Sequence, residues 1–358
     1  MRILFIANTD KRRRYRFVME PLRAVGVDAH CYEEKSNLIA TFFYGIKVLL
    51  SKPKSHIVVL TGGDLRNVIW FLILRIFTRM RVVVRFGGDP ITVRRSAQSS
   101  FSDAKNIFAT IRTQLGAIGS RLLLKHVDGV IVVSVYLAKA VEPLLGSKSH
   151  IVVSPPMLLR ECKPKRSYQQ NGEMFSVLTV TNLNYSEKAD GVLHIANAIR
   201  SLGQNQPDIA IHFDIVGGGL RLTQVQHAIE NMTLPRNVTI SVHGQQTDVS
   251  SFYESADLFV YHSELDSYSL VMMEAAAYGL PLIVNRWGPF PLQYVEGKEA
   301  LFYETGNTYQ LENLLSRLVK DEKERASLGR AVLHQYQQKQ STLPRGEKLV
   351  NFFSELIQ

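Results

Sequence analysis

Short apolar runs alternating with stretches of helical length constrain this chain more than any other feature. The runs RILFIAN (2–8), HIVVLTG (56–62), RVVVRFG (81–87), GVIVVS (129–134) and HIVVSP (150–155) are apolar almost throughout and rich in β-branched residues. Segments of helical length, such as 64–79 and 104–126, lie between them. Such strands need cover on both faces, and parallel strands need a crossover of this length. The segment RECKPKRSYQQNGE (160–173) is polar, charged and contains proline, a linker composition. After it the alternation restarts, with strands FSVLTVTN (175–182), IHFDIVGGG (211–219), VTISVHG (238–244), DLFVYHS (257–263) and LPLIVN (280–285). Helices are expected over 188–202, 220–231 and 247–256. The expected architecture is α/β: two Rossmann-like, doubly wound domains, residues 1–165 and 174–339, facing across a cleft. The tail EKLVNFFSELIQ (347–358) is amphipathic, and a helix over 340–358 is expected to pack back on the first domain.

With 358 residues, 46% apolar and 21% charged, the chain has material for two cores and is neither disordered nor fibrous. Cys31 and Cys162 cannot make a disulfide framework, so reduced thiols in a cytoplasmic protein are expected. MRILFIANTD has too short an apolar run for a signal peptide. The most apolar segment, VIWFLILRIFTRMRVVVRFGG, is interrupted by Arg75, Arg79, Arg81 and Arg85, which argues against a membrane span.

The net charge of +10 is unevenly placed. Residues 1–160 hold 25 Lys and Arg against 10 Asp and Glu; the remainder holds 17 against 22. The first half is therefore the one expected to meet something anionic: a membrane surface, a phosphorylated acceptor or nucleic acid. Its densest basic run, Lys11, Arg12, Arg13, Arg14 and Arg16 around Tyr15, is expected in a loop, TDKRRRYRF (9–17). It reads either as a solvated charge run or as attraction to anionic headgroups or an acceptor pyrophosphate. Trp70, Phe71, Ile76 and Phe77 among arginines read either as core or as a membrane-facing helix. The basic residues lack the aromatic interleaving of a single-strand platform, so no nucleic acid is expected.

The segment YHSELDSYSLVMMEAAAYGLPLIV (261–284) carries two acids, Asp266 and Glu274, where a strand runs through a loop into an apolar helix. Ser267 or Ser269 can cap that helix, and Gly279 with Pro281 ends it. Glu274 then lies one to two turns inside, roughly 7–10 Å along the axis at about 1.5 Å per residue. The first-turn amides, near Ser269 to Met272, make a natural phosphate site. A phosphate flanked by two carboxylates that accept from hydroxyls describes a sugar nucleotide. The same acids also suit a dipole-favoured loop Asp and a surface Glu.

D-S-Y-S-L-V-M-M-E-A-A-A-Y-G-L-P resembles the E-x7-E-A-x-A-x-G-x-P signature of retaining glycosyltransferases of family 4, which have the GT-B fold. Other segments resemble family motifs in order: HVDGVIVVSVYLAKAV, KADGVLHIANAI, IHFDIVGGG, and VTISVHG followed by FYESADLFVYHS. The resemblance implies that Glu274 holds the ribose hydroxyls of a nucleotide and that Asp266, in place of the usual Glu, binds donor-sugar hydroxyls. It implies diphosphate contacts for Lys188 and for the backbone around Tyr268, Ser269, Leu270 and Val271, where Ser269 replaces the usual Gly. Gly217, Gly219 and Gly244 would line the donor site. Asn182 stands near the family's usual Arg, so one cation of the expected pair is missing. In the first domain the H-G-x-D motif becomes Phe86-Gly87-Gly88-Asp89, with Asp89 a candidate for the incoming hydroxyl and Arg85 beside it for the acceptor.

No D-x-D, Cys/His ligand spacing or Gly-x-Ser-x-Gly occurs in the chain. The expectation is a retaining, metal-independent hexosyltransferase with no cofactor and no evident protein nucleophile, consistent with front-face substitution. It would move a sugar from a UDP-sugar, or a GDP-sugar, to a saccharide or lipid-linked acceptor in cell-surface polysaccharide synthesis, such as lipopolysaccharide or capsule. The expected place is the cytoplasm, at the inner face of the plasma membrane. Other readings are a sugar-nucleotide epimerase or hydrolase of the same fold, or a non-catalytic binder of sugar nucleotides or nucleic acid.

Overall fold

The computed structural model describes residues 1–358 except 9–11, 35–55, 63–64, 89–117, 159–161, 166 and 169–173, and gives the backbone alone for 7–8, 12–14, 32–34 and 65. The described chain divides into two compact units, Met1–Met157 with Ser341–Gln358, and Leu158–Gln340. Each unit holds one six-stranded parallel sheet, so the chain has the two Rossmann-like domains expected.

The first sheet comprises β1 (Arg2–Asn8), β2 (Asp28–Glu34), β3 (Ile57–Thr61), β4 (Arg81–Phe86), β5 (Gly129–Val132) and β6 (His150–Val153), in the order β2-β1-β3-β4-β5-β6. Every residue of β3 and β5 is buried, as their unbroken apolar runs require. β2 was not among the expected strands. Its sequence DAHCYEE has no apolar run, and among the described residues it pairs with β1 alone. The basic stretch also departs from expectation: Arg12–Ala24 is a helix, so Arg12, Arg13, Arg14 and Arg16 stand in its first turns. Tyr15 is buried within this unit and its hydroxyl donates to the Ile6 carbonyl.

The helix Thr342–Ile357 completes the first unit, with Leu349, Phe352, Phe353 and Leu356 in one cluster with Phe5, Leu22 and Ile131. Close approach explains two glycines here. A Cβ on Gly129 would lie 2.6 Å from the Phe352 ring, and one on Gly346 would lie 2.3 Å from the Pro21 carbonyl. Arg345 fastens the start of the helix, donating to the carbonyls of Pro155 and Pro156 at 2.8 and 3.1 Å.

The second sheet comprises β7 (Phe175–Val180), β8 (Ile211–Val216), β9 (Val238–Gly244), β10 (Leu258–Tyr261), β11 (Leu282–Asn285) and β12 (Leu301–Tyr303), in the order β12-β11-β10-β7-β8-β9. β12, only three residues long, was not foreseen either. The helix Ser186–Asn205 follows β7 and buries Ala189, Val192, Ile195, Ala196 and Ile199 against this sheet. Lys165 pairs with Asp257 at 3.1 Å, and the Tyr168 hydroxyl donates to the Gly279 carbonyl at 2.9 Å.

Phe353 is fully buried in the first unit's core. Phe353→Ala should therefore destabilise that unit by about 3–5 kcal/mol. Urea unfolding of the full chain checks this; an unchanged transition would mean that the C-terminal helix is not integral to the core.

Candidate functional site

All strands of the second sheet are parallel, so the loops leaving β7, β8, β10 and β11 share one edge, where ligands of such sheets bind. Lys188, in the first turn of Ser186–Asn205, is 5% exposed, and Tyr261, the last residue of β10, is 3% exposed. Asp266 comes from the loop after β10. The Lys188 Nζ donates to the Tyr261 hydroxyl at 2.5 Å and to Asp266 Oδ2 at 2.8 Å, and the Tyr261 hydroxyl donates to the same Oδ2 at 2.6 Å. Burial opposes the charge on Lys188, but Tyr261 and Asp266 outweigh it, so its pKa is raised and the ammonium persists. Burial first, and then Asp266, push the Tyr261 hydroxyl up to about 12, so it stays protonated and can donate.

This arrangement leaves specific valences open. An ammonium has three donors, and two are in use among the described residues. Both bonds to Asp266 fall on Oδ2, so Oδ1 of this partly exposed side chain (23%) is the oxygen left for a ligand hydroxyl.

The loop carrying Asp266 is held from behind. The Ser263 hydroxyl accepts from the amides of Leu265 and Asp266 at 3.2 and 3.3 Å. Asn285, at the end of β11, accepts from the Ser263 amide at 3.0 Å and donates to the Thr305 hydroxyl at 3.1 Å. Ser263 and Asn285 are both fully buried.

The helix Leu270–Ala277 begins beyond this loop. Ser269 is its N-cap and accepts from the Met272 amide at 3.4 Å. The Leu270 and Val271 amides lie in the first turn, where helix geometry supplies no carbonyl partner. Glu274, half-buried on this helix, accepts from the Tyr253 hydroxyl at 3.0 Å. The Tyr253 ring is itself stacked on Tyr278 at 5.2 Å, so the carboxylate has a rigid support.

The glycines expected to line a nucleotide also meet a neighbouring loop closely. Gly217 and Gly219 adopt φ of +149° and +148°, and a Cβ would lie 1.8 Å from the Thr181 carbonyl oxygen and 2.4 Å from the Leu183 carbonyl carbon. Their missing side chains let the loops after β7 and β8 lie against each other. The Leu183 amide donates to the Gly218 carbonyl and the Arg221 amide to the Leu183 carbonyl. Asn182 is exposed and caps a turn by accepting from the Asn184 amide at 3.0 Å. Gly244 ends β9 with φ +65°, and Tyr268 is half-buried.

In the first unit, Asp89 and Lys11 lie outside the described residues, and the side chains of Arg12, Arg13 and Arg14 are not described. Arg16 is exposed and 3.6 Å from Glu20. Arg85 is 2% exposed, within the sheet at the end of β4.

Sequence reasoning missed Tyr261, whose aromatic ring equally suits a buried strand position. It also missed the group beside Lys188. The His262 Nδ1 lies 2.8 Å from the Tyr303 hydroxyl, and His194 lies against both rings. Burial, then His194 and Lys188, lower the His262 pKa to about 4. Burial lowers that of His194 as well.

Comparison with known proteins assigns the second unit. Residues 163–334 match the family model for glycosyl transferases group 1. The chain carries a group 1 glycosyl transferase domain. Two curated relatives are N-acetyl-alpha-D-glucosaminyl L-malate synthase of Bacillus anthracis and D-inositol 3-phosphate glycosyltransferase of Corynebacterium glutamicum. The first is 25% identical over 48% of this chain and 46% of its own length; the second is 25% identical over 46% and 40%. The matched stretch thus spans less than half of each relative. Among solved structures, sucrose-phosphate synthase of Thermosynechococcus elongatus has a TM-score of 0.76 at 14% identity and covers 99% of both chains. Anabaena HepE in complex with UDP-glucose has 0.72 at 15%, covering 99% of this chain and 100% of its own. At these identities the structures speak for the fold. The transferase domain therefore carries all of Lys188, Tyr261, Asp266 and Glu274.

A histidine buried neutral stabilises the domain above its unfolded pKa of about 6.5 and loses that stabilisation as pH falls. For His262 the loss should run from about 6.5 down to the folded value of about 4, and be on the order of 3 kcal/mol by the lower limit. Unfolding midpoints measured across this range should show the loss, and His262→Gln should flatten it. An unchanged acid slope in that variant would contradict the assignment.

Proposed function

We propose that the chain is a retaining, metal-independent hexosyltransferase whose second unit binds a nucleotide-diphosphate sugar. The observation that carries the reading is the buried Lys188–Tyr261–Asp266 triangle beside the first-turn amides of Leu270–Ala277. A departing diphosphate develops negative charge, and a fixed ammonium with an open donor is suited to stabilise it. The amides of Leu270 and Val271 supply further donors at the positive end of a helix.

The roles divide by chemistry. Glu274 accepts from the ribose hydroxyls, and Asp266 Oδ1 accepts from a hydroxyl of the transferred sugar. Lys188 and the helix amides hold the diphosphate. Catalysis is then positioning and electrostatic stabilisation, and neither needs a metal or a protein nucleophile. A UDP-sugar is favoured, supported by the likeness to HepE, solved with UDP-glucose; a GDP-sugar is the second choice.

The first unit takes the acceptor, with Asp89 accepting a hydrogen bond from its hydroxyl and the basic residues drawing its phosphate. A saccharide or lipid-linked saccharide of cell-surface polysaccharide synthesis, used at the cytoplasmic side, suits the positive charge of residues 1–160.

Nucleotide release from UDP-hexoses, followed with and without a saccharide acceptor, tests the reading. Lys188→Ala should lower kcat by on the order of 10²–10³, and Glu274→Ala should abolish transfer with the fold intact. Near-wild-type turnover by a folded Glu274→Ala protein would sink the assignment. Donor conversion without any acceptor would instead indicate an epimerase or hydrolase.

A further inference from the structure

Two helices of the first unit present the same pattern to solvent. One is Leu65–Phe77 with the residues just after it, and the other is the helical stretch 118–126. On the first, Leu72, Arg75, Ile76 and Arg79 are exposed; on the second, Ile118, Arg121, Leu122 and Lys125 are exposed. Both sets follow the spacing i, i+3, i+4, i+7, which places Ile118, Arg121, Leu122 and Lys125 on one helical face, and Leu72, Arg75 and Ile76 on another, with Arg79 two residues past that helix's end. The order is apolar, basic, apolar, basic in each.

The exposure is large for apolar groups: Leu72 50%, Ile76 70%, Ile118 55% and Leu122 49%, with Phe77 at 66% beside them. In contrast, Trp70 and Phe71 on the first helix turn inward, at 0% and 9%. The sequence alternatives for this helix therefore divide by position, with its first aromatics in the core and its last apolar residues in solvent. The ends of the two helices adjoin: Arg75 donates to the His126 carbonyl at 3.0 Å and to Asp128 at 3.1 Å.

Charge narrows the occupant. No Asp or Glu occurs within 65–81 or 118–126. Asp128 takes both Arg75 and Arg81, whereas Arg79, Arg121 and Lys125 form no ion pair among the described residues. A second copy of this chain would bring the same cations against themselves. A protein-binding core is depleted of charge and especially of lysine, yet here every apolar residue alternates with a cation. A bilayer surface accommodates that alternation, because apolar side chains enter the acyl boundary while Arg and Lys extend to the phosphates. No helix among the described residues is long and apolar enough to cross a membrane.

We infer that this two-helix face is a docking surface for an anionic lipid bilayer. The inference does not depend on the transferase reading. It assigns lipid contact to Leu72, Ile76, Ile118 and Leu122, with Arg79, Arg121 and Lys125 on the headgroups.

Co-sedimentation of the full chain with vesicles tests it. Phosphatidylglycerol–phosphatidylcholine vesicles should retain the protein, phosphatidylcholine alone should not, and added salt should weaken retention. The double variant Ile76→Glu, Leu122→Glu alters exposed positions, so its melting temperature should match wild type while anionic-vesicle affinity falls by about tenfold or more. Retention unchanged in that variant would overturn the proposal and put the attraction on general charge, such as the Lys11–Arg16 run. So would failure to bind anionic vesicles, or a wild-type dimer that the variant converts to monomer, which would make a second copy the occupant.

Discussion

A lysine ammonium enclosed by protein must keep compensating partners, and Lys188 sets that requirement for the whole second unit. Its partners come from different places in the fold: Tyr261 from the end of a central strand and Asp266 from the loop that follows. Removing an ammonium from water costs several kcal/mol, recovered only through well-placed hydrogen bonds and an opposite charge. The triangle therefore stands only if β10, its loop and the start of Ser186–Asn205 keep their registry.

Much of the surrounding structure maintains that registry. Buried Ser263 and Asn285 hold the Asp266 loop against β11, while Gly217 and Gly219 allow the loops after β7 and β8 to lie together. Glu274 accepts from Tyr253, whereas Asp266 accepts from Lys188 and Tyr261. Two acids held at different points suit a ligand with two polar ends.

The fold was legible where burial leaves an unbroken apolar run, as in IVVLT or GVIV. It was not legible where no apolar run marks the strand: DAHCYEE is mostly polar and LFY is three residues long. Charge also misled, since a dense basic run looked like a loop yet continues into a helix anchored by buried Tyr15, Val18 and Leu22. At the site, the two acids were readable from their place around a helix start that follows a strand, and Lys188 from the family resemblance. Tyr261 was not, because its aromatic ring also satisfies a buried strand position and only its hydroxyl's partners reveal its place. The two glycines were readable as special backbone, but their cause, close approach of a neighbouring loop, needs the three-dimensional contact.

If the open donor on Lys188 and the helix amides hold a diphosphate, affinity must depend on that group more than on the nucleoside. Calorimetric titration of the full chain with UDP and with UMP, repeated on Lys188→Met, measures this directly. The account predicts that UDP binds wild type at least tenfold tighter, about 1.4 kcal/mol, and that the variant loses most of the difference. Equal binding of the two nucleotides by wild type, or an undiminished preference in the variant, would contradict it.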